Sequence, residues 1–231
     1  MEFFEAVEKR RSIRRYTEEP VADEVVEKAL DAAILAPNSS NVQTWNFFWV
    51  KSKVKKDLLV KACLDQSAAK TAKHLIVVTA NPSLWKRSTP RLAEWVKDSR
   101  APKSVLVYYD KLIPLMYRWG FLNILAPFKW LFAIAIGLFR PMMRGPFTRG
   151  ALQEVAIKSS ALAAENFALA VTAQGYASCM MEGFDEWRVY RLLGLQRNER
   201  VVMVISVGVE AEKGTWGPRF RLPKAEVVKI I

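Results

Sequence analysis

The spacing of apolar residues along the chain predicts an alternation of helices and strands. Apolar residues recur every three or four positions over about 22–35, and Pro37 stands where that helix should end. A longer apolar stripe over about 151–174 predicts the longest helix, and Gly175 occupies the position of a C-terminal cap. The same reasoning predicts shorter helices over 2–10, 54–65 and 185–193 and strands over 45–50, 75–79, 176–181 and 201–209. Because the strands are few, we predict an α+β fold with a mixed sheet rather than a doubly wound parallel sheet.

The composition is that of a chain that can bury a full core. Of its 231 residues, 51% are hydrophobic and 25% are charged. The sequence shows no repeat or linker, so we expect a single domain over 1–231. Its 35 Lys and Arg exceed its 23 Asp and Glu by 12, which indicates an anionic partner: nucleic acid, anionic lipid or a phosphorylated ligand. We expect no nucleic acid, because the sequence contains no helix-turn-helix and no aromatic stacking motif.

The numbers and spacing of cysteine and histidine residues limit which metal, disulfide or catalytic sites the chain can form. Cys63 and Cys179 lie far apart without a zinc-type or disulfide-type spacing, which fits a reducing compartment. We therefore expect a cytoplasmic protein, with membrane association as an open alternative. His74 is the single histidine, so a multi-histidine metal site is excluded, and we interpret His74 as a core residue at the start of a strand.

One segment, at about 112–139, is far more apolar than the rest of the chain. Arg118 and Lys129 divide it into apolar runs of about ten residues, which are too short to span a bilayer. Prolines divide it into two helical pieces, and no acidic residue occurs from Lys111 to Gln153. Three interpretations remain open for this basic, apolar insertion at about 105–149. It is a hairpin packed on the core or a dimer interface, a peripheral membrane contact through 112–149, or a lid over a site for an apolar substrate.

Four polar or basic segments could carry chemistry. A basic cluster at 10–14 and two alternating arginines near the C-terminus could each hold a phosphate. The polar loop at 37–45 could meet the heteroatom edge of a flat ligand. In the fourth segment, at 181–185, Gly183 would allow an unusual turn after a strand.

Taken together, in this order, the four segments resemble the FMN-dependent nitroreductase family. That family opens with a helix that ends in Arg-x-Ser-x-Arg/Lys, and it continues with Pro-Ser-Ser-x-Asn-x-Gln-Pro-Trp. It then carries a Glu-Gly-Phe turn and a terminal basic-x-Arg-x-Pro segment. The matching residues are Arg10, Ser12 and Arg14; Pro37, Ser39, Asn41, Gln43 and Trp45; Glu182, Gly183 and Phe184; and Arg219 to Pro223. The chain departs from the pattern at Asn38, Thr44 and Met180, and the resemblance leaves 81–149 uncovered.

The resemblance implies a fold, a cofactor and its ligands. It implies a mostly antiparallel sheet flanked by helices in an intertwined homodimer, with FMN at the interface. Arg10, Arg219 and Arg221 would bind the FMN phosphate with help from Ser12 and the adjacent Arg11, and Arg14 would lie near the N1/O2 side of the ring. The loop residues Asn38, Ser39, Ser40 and Asn41 would come from the other subunit, supported by Gln43. The Glu182 amide would face flavin N5, and Met181 and Gly183 would line the ring.

The resemblance also implies the reaction. NAD(P)H would pass hydride to FMN, and the reduced cofactor would then reduce an aromatic or quinone-like acceptor in a ping-pong sequence. The apolar insertion favours a lipophilic small-molecule acceptor. Two alternatives stay open: a branch of the family that dehalogenates aromatics or consumes the flavin, and a peripheral membrane-binding protein on the same fold.

Overall fold

A four-stranded antiparallel sheet forms the centre of the protein in a computed structural model that describes residues 1–99 and 101–231. The strands are β1 (Trp45–Trp49), β2 (His74–Ala80), β3 (Ala177–Met181) and β4 (Arg200–Gly208). Their order is β1-β2-β4-β3, and all three strand pairs are antiparallel. A parallel bridge between Ser12 and Ser178 adds the segment after the first helix to the β3 edge. The predicted α+β fold is thus confirmed.

Helices cover both faces of this sheet. In chain order they are α1 (Phe3–Lys9), α2 (Asp23–Ile34), α3 (Lys53–Ala62), α4 (Ser67–Lys70), α5 (Trp85–Asp98), α6 (Lys103–Val107), α7 (Ile113–Tyr117), α8 (Ala126–Gly137), α9 (Arg149–Ala173), α10 (Glu186–Leu193) and α11 (Lys224–Val227). Side chains alternate across a strand, so β2 contributes to two separate cores. Leu75 and Val77 pack towards α3, α4 and α10, whereas Ile76 and Val78 pack towards α2 and α9. Burial of each such side chain contributes about 1.5–3 kcal/mol.

The long helix α9 forms where it is predicted, but Leu162, one of the apolar residues of the predicted stripe, lies on the exposed side and is 49% exposed. Its buried residues include Leu152, Phe167 and Val171, which lie on the predicted stripe. Gly175 has a φ of +87°, and the amides of Gly175 and Tyr176 bond to the last-turn carbonyls of Thr172 and Val171. These two bonds form the Schellman motif, which satisfies carbonyls that the helix itself cannot pair.

The apolar insertion forms helices, as predicted, but the helical structure begins earlier. Helices α6 and α7 are joined by a π-helical turn, Tyr108–Leu112, so the first piece starts at Lys103 rather than near residue 112. The second piece is α8, and Pro127 lies in its first turn, where a missing amide costs little. Pro114 lies inside the continuous helical run, directly after the π-helical turn. Within residues 1–99 and 101–231, no helix combines the length and apolarity needed to cross a membrane.

Candidate cofactor site

A strongly basic pocket lies where the end of α1 meets the C-terminal tail. It has a volume of about 170 Å³ and is lined by Arg10, Arg11, Ser12, Arg14, Pro218, Arg219, Phe220 and Arg221. Within the described parts of the chain, Arg10 alone of the five arginines pairs with a carboxylate, that of Glu165 on α9 at 3.5 Å. Five guanidinium groups with one acidic partner form a site that an anion would stabilise.

Backbone pairing fixes the segment that carries the first arginines. The Ile13 amide donates to the Ser178 carbonyl at 3.0 Å, and the Arg14 amide donates to the Gly214 carbonyl at 2.8 Å. Tyr16 anchors the end of the segment, because its buried hydroxyl lies 2.9 Å from Ser206 Oγ. The arginines at 10–14 are therefore attached to the edge of the sheet rather than to a free loop.

The tail is held on the opposite side of the pocket by two arginines. Arg219 donates to the carbonyls of Glu8 and Arg10, at 2.5 and 2.6 Å, at the end of α1. Helix-end carbonyls lack partners within the helix, so a guanidinium satisfies them well. The Arg14 guanidinium carbon lies 3.9 Å from the centroid of the Trp216 ring. Residues about 200 positions apart in sequence thus share one pocket.

The Glu182 turn lies at the far end of the strand that starts beside this pocket. From Ser178, which bridges to Ser12, β3 runs four residues to Glu182, a distance of roughly 13 Å. Gln66 Nε2 donates to the Gly183 carbonyl at 2.5 Å, and a Cβ at Gly183 would lie 3.3 Å from that nitrogen. The expected unusual turn is absent here, because the φ of Gly183 is not positive. Glycine allows the close approach of Gln66 instead.

Cys179 lies in β3 between these two regions. Burial raises the pKa of the Cys179 thiol, although Arg14, the Ser12 hydroxyl and Arg10 act in the opposite direction. The thiol therefore remains protonated at neutral pH and serves as packing rather than as a nucleophile.

The Asn38–Gln43 loop is held in an unusual conformation. Ser40, Asn41 and Gln43 all have positive φ values, between 52° and 57°, which non-glycine residues rarely adopt. Asn38 Oδ1 accepts from the Gln43 amide at 2.8 Å and stabilises the turn. In the described residues, no hydrogen bond or ion pair joins this loop to the arginine pocket. Within one chain, the two groups of expected site residues contact α9 at different residues, Ser159 for the loop and Glu165 for the pocket, and make no direct polar contact with each other.

The insertion packs directly against this loop. The Ser40 and Tyr108 hydroxyls lie 2.5 Å apart, and Val42 is buried in a cluster with Ile113 and Tyr117. Burial raises the pKa of Tyr117 to about 12, so its hydroxyl stays neutral and able to donate. The insertion, which the family resemblance does not cover, thus contacts the Asn38–Gln43 loop, which the resemblance places at FMN.

The sequence reasoning missed several residues at the site. Glu165 pairs with Arg10, Trp216 stacks on Arg14, and Tyr108 bonds to Ser40. Gln66 donates to the Gly183 carbonyl. These contacts join segments that are distant in sequence, so local spacing could not have identified them. For Trp216, the one available signal was its position two residues before Pro218 in the basic C-terminal segment.

The donor set of the pocket fits an FMN phosphate. Guanidinium groups and a serine hydroxyl are the usual ligands of a phosphate dianion, and the phosphate would offset the excess charge. A strand of suitable length then leads from Ser178 through Met181, its last residue, to Glu182 and Gly183, and the Gly183 carbonyl accepts from Gln66. The arrangement provides binding and positioning groups, as expected where a cofactor carries out the chemistry.

Comparisons with known proteins agree with this reading. The model of the Nitroreductase family matches residues 7–209. A Streptococcus pyogenes protein named as an NAD(P)H nitroreductase, Spy0809, is 25% identical over 229 residues, which cover 99% of each chain. A nitroreductase family protein of Streptococcus pneumoniae has a TM-score of 0.74 at 24% identity, with complete coverage of both chains. A protein of Exiguobacterium sibiricum, solved in complex with FMN, has a TM-score of 0.75 at 23% identity, with coverage of 100% of this chain and 98% of that one.

Proposed function

The chain belongs to the nitroreductase family of FMN-dependent NAD(P)H oxidoreductases, and we propose that it binds FMN between the arginine pocket and the Met181–Gly183 turn. The observation that carries the proposal is the pocket itself, in which five guanidinium groups from the two ends of the chain meet one carboxylate. FMN held by these residues would supply the redox chemistry for a ping-pong transfer of reducing equivalents from NAD(P)H to a second substrate.

The residues of the chain have distinct proposed tasks. Arg10, Arg11, Arg219 and Arg221 bind the phosphate, together with the Ser12 hydroxyl. Arg14 supplies positive charge to the N1/O2 side of the ring, and its stacking on Trp216 holds the guanidinium in place.

Three neighbouring residues position the reactive edge of the ring. The Glu182 amide would face N5, and Met181 and Gly183 would line the ring. Gln66 orients this turn through its bond to the Gly183 carbonyl. No side chain has to transfer a proton in the first half-reaction.

The first test is the visible absorption spectrum of the purified protein, before and after addition of FMN and then of NADPH without oxygen. We expect flavin bands that bleach with NADPH. Loss of a charged hydrogen bond costs about 1.5–3 kcal/mol, so Arg10→Gln and Arg14→Gln should each weaken FMN binding about 10- to 150-fold. Arg15→Gln is the matched control, because Arg15 is exposed and does not line the pocket. A protein that stays colourless with FMN, or an equal loss in the control, would contradict the proposal.

We further propose that the working protein is an intertwined homodimer with FMN at the interface, so that the partner's Asn38–Gln43 loop completes each site. Support comes from the lack of any hydrogen bond or ion pair between the loop and the pocket among the described residues of one chain. It also comes from exposed apolar side chains on α1 and along the tail: Phe3, Phe4, Trp216, Phe220, Leu222 and Ile230. Such surface is costly in a monomer and is typical of an interface.

A subunit-complementation experiment tests the shared site. One chain carries Arg10→Gln and Arg14→Gln, and the other carries Ser39→Ala and Asn41→Ala. If each site uses both chains, a coexpressed mixed dimer contains one intact site, and tight FMN binding returns to about half of one site per chain pair. If all groups act within one chain, the mixture binds no better than the separate variants. Light scattering should give twice the chain mass of 26.3 kDa.

The second substrate is proposed to be a lipophilic, aromatic or quinone-like small molecule. The supporting observation is that the insertion contacts the loop through Tyr108, Ile113 and Tyr117, so apolar groups border the proposed site. Each buried methylene contributes about 0.8 kcal/mol, which corresponds to about fourfold in kcat/KM. We expect kcat/KM to rise along a series of quinones with lengthening alkyl chains. A flat series would contradict this acceptor class.

A further inference from the structure

The second half of the insertion presents a large apolar surface that the rest of its own chain leaves uncovered. Only Ala126 and Ala133 of α8 are buried. Phe121 is 84% exposed and Phe139 is 90% exposed, whereas soluble proteins rarely expose contiguous patches of this kind without a partner. We call this surface the insertion patch, and its exposed apolar residues are Phe121, Leu122, Ile124, Phe128, Trp130, Leu131, Phe132, Leu138, Phe139 and Met143.

The charge around the insertion patch has one sign. No Asp or Glu occurs between Lys111 and Gln153, a segment that contains six basic residues. Among the residues that the structure describes, none of these six forms an ion pair. Arg140 and Arg144 alternate with Leu138, Phe139, Met142 and Met143 just after α8, and all of these side chains are exposed. Apolar side chains beside unpaired cations form the pattern that anionic lipid surfaces bind.

The geometry favours a helix that lies on a membrane. Helix α8 has 12 residues, so it is about 18 Å long, against about 30 Å for the hydrocarbon core. Lys129 Nζ donates to the carbonyls of Met116 and Arg118 and thereby ties α8 to the end of α7. Lys129 thus has a structural task and is not counted among the lipid contacts.

The same charges disfavour a second copy of the chain or a small molecule as the partner that covers the insertion patch. A symmetric contact between two insertion patches would bring two sets of unpaired cations together in a chain whose net charge is already +12. A small acceptor molecule would cover only a few of the exposed side chains. An anionic surface satisfies both the apolar and the cationic parts at once.

We propose that residues 121–144 dock the protein onto anionic phospholipid membranes, with α8 lying along the surface and Arg140 and Arg144 contacting lipid phosphates. This inference goes beyond the proposed redox activity and does not depend on it. A membrane-bound position would bring the site next to lipophilic substrates dissolved in the bilayer.

The test is cosedimentation of the FMN-loaded protein with vesicles. We expect binding to phosphatidylcholine vesicles that contain phosphatidylglycerol, weak binding to pure phosphatidylcholine, and release when salt rises from about 0.05 M to about 0.5 M. Each basic contact is worth about fivefold in the partition coefficient, so Arg140→Gln with Arg144→Gln should weaken binding about 25-fold. Phe132→Ser with Phe139→Ser should abolish it.

Matched controls separate the patch from general effects. Lys53→Gln with Lys55→Gln removes two exposed charges on α3, and Val54→Ser removes an exposed apolar side chain there. These controls should bind vesicles like the parent protein, and every variant should keep its flavin content and its bleaching by NADPH. Three results would overturn the proposal: no binding to anionic vesicles, equal binding to neutral vesicles, or equal losses in the controls. The proposal would also be overturned if the patch variants changed the oligomeric state but not vesicle binding, because the insertion patch would then be a contact between copies of the chain.

Discussion

Substitution of Gly208 by alanine should destabilise the protein through a single, identifiable clash. Gly208 is the last residue of β4, and a Cβ there would lie 2.5 Å from Cγ, 2.6 Å from Cδ1 and 2.7 Å from Cβ of Tyr16. Ordinary contact begins at 3.4 Å, so the Tyr16 ring would have to retreat by roughly 0.9 Å.

Tyr16 has little freedom to retreat. Its hydroxyl is held by the carbonyl and hydroxyl of Ser206, and its amide donates to Thr71 Oγ1 at 3.0 Å. Overpacking costs about 1–3 kcal/mol, and a strained hydrogen bond costs about 1 kcal/mol more. We therefore expect Gly208→Ala to lower the free energy of unfolding by about 2–4 kcal/mol. FMN binding should also weaken, because Tyr16 anchors the segment that carries Arg14.

Urea denaturation at fixed protein and FMN concentrations measures this change. Gly150→Ala is the matched control, because a Cβ there meets only Thr148 Oγ1, at 4.0 Å, and alanine favours the helix by up to about 1 kcal/mol. In a Tyr16→Gly background, which removes the Cβ of residue 16 as well as the ring, the clash is removed, so Gly208→Ala should cost less than about 1 kcal/mol. Equal costs in the two backgrounds would refute the reasoning.

Three further predictions concern stability and thiol reactivity. Phe167→Ala empties a fully buried position between α9 and the sheet and should cost about 3–5 kcal/mol in urea denaturation, whereas Leu162→Ala on the exposed side of α9 should cost far less. Burial lowers the pKa of His74 from 6.5, with Lys56 and Lys51 acting in the same direction and the Val21 carbonyl and Asp23 opposing it. The unfolded chain then binds the proton more readily, so stability should fall as pH drops below about 6.5, and His74→Gln should flatten that part of the profile. Burial raises the pKa of Cys63 to about 11 and also raises that of Cys179, so a thiol reagent at pH 8 should label either cysteine only after unfolding; rapid labelling of the native protein would contradict this.

The elements that the sequence predicts correctly are those whose burial follows one simple period. Helix α9 has an apolar stripe and a glycine cap, and β2 is an uninterrupted β-branched run between two cores. Helix α5 was missed because Pro90 lies inside a stretch whose apolar residues otherwise recur at helical spacing. Proline has no amide to donate to the carbonyl four residues earlier, so it normally indicates the end of a helix. Tertiary packing of Trp85, Leu92 and Val96 nevertheless maintains the helix.

The candidate site was predictable only in part, for a physical reason. Local spacing identifies single basic or polar segments, but it cannot show that Arg11 and Gly217 are hydrogen-bonded across 206 positions. That proximity depends on the Ser12 bridge to β3 and on the turn at Gly214, both of which form only in the folded chain. The family resemblance indicated that these segments form one site. The structure adds the residues that contact them, namely Glu165, Trp216 and Gln66.

Of the eight non-glycine residues with a positive φ in the described parts of the chain, five lie in two turns of the proposed site, and the other three are Leu122, Asn123 and Lys213. Ser40, Asn41 and Gln43 adopt left-handed conformations in the first loop, and Leu64 and Asp65 do so just before Gln66. Each such conformation costs about 1 kcal/mol or more for a residue with a Cβ, and it persists only where the surrounding structure enforces it. Glycine at these positions would relieve the strain but would loosen the turns that orient the Asn38 amide and Gln66. The chain therefore loses stability at two turns where the proposed mechanism requires fixed polar groups. Precise positioning of a flat cofactor would require such fixed groups.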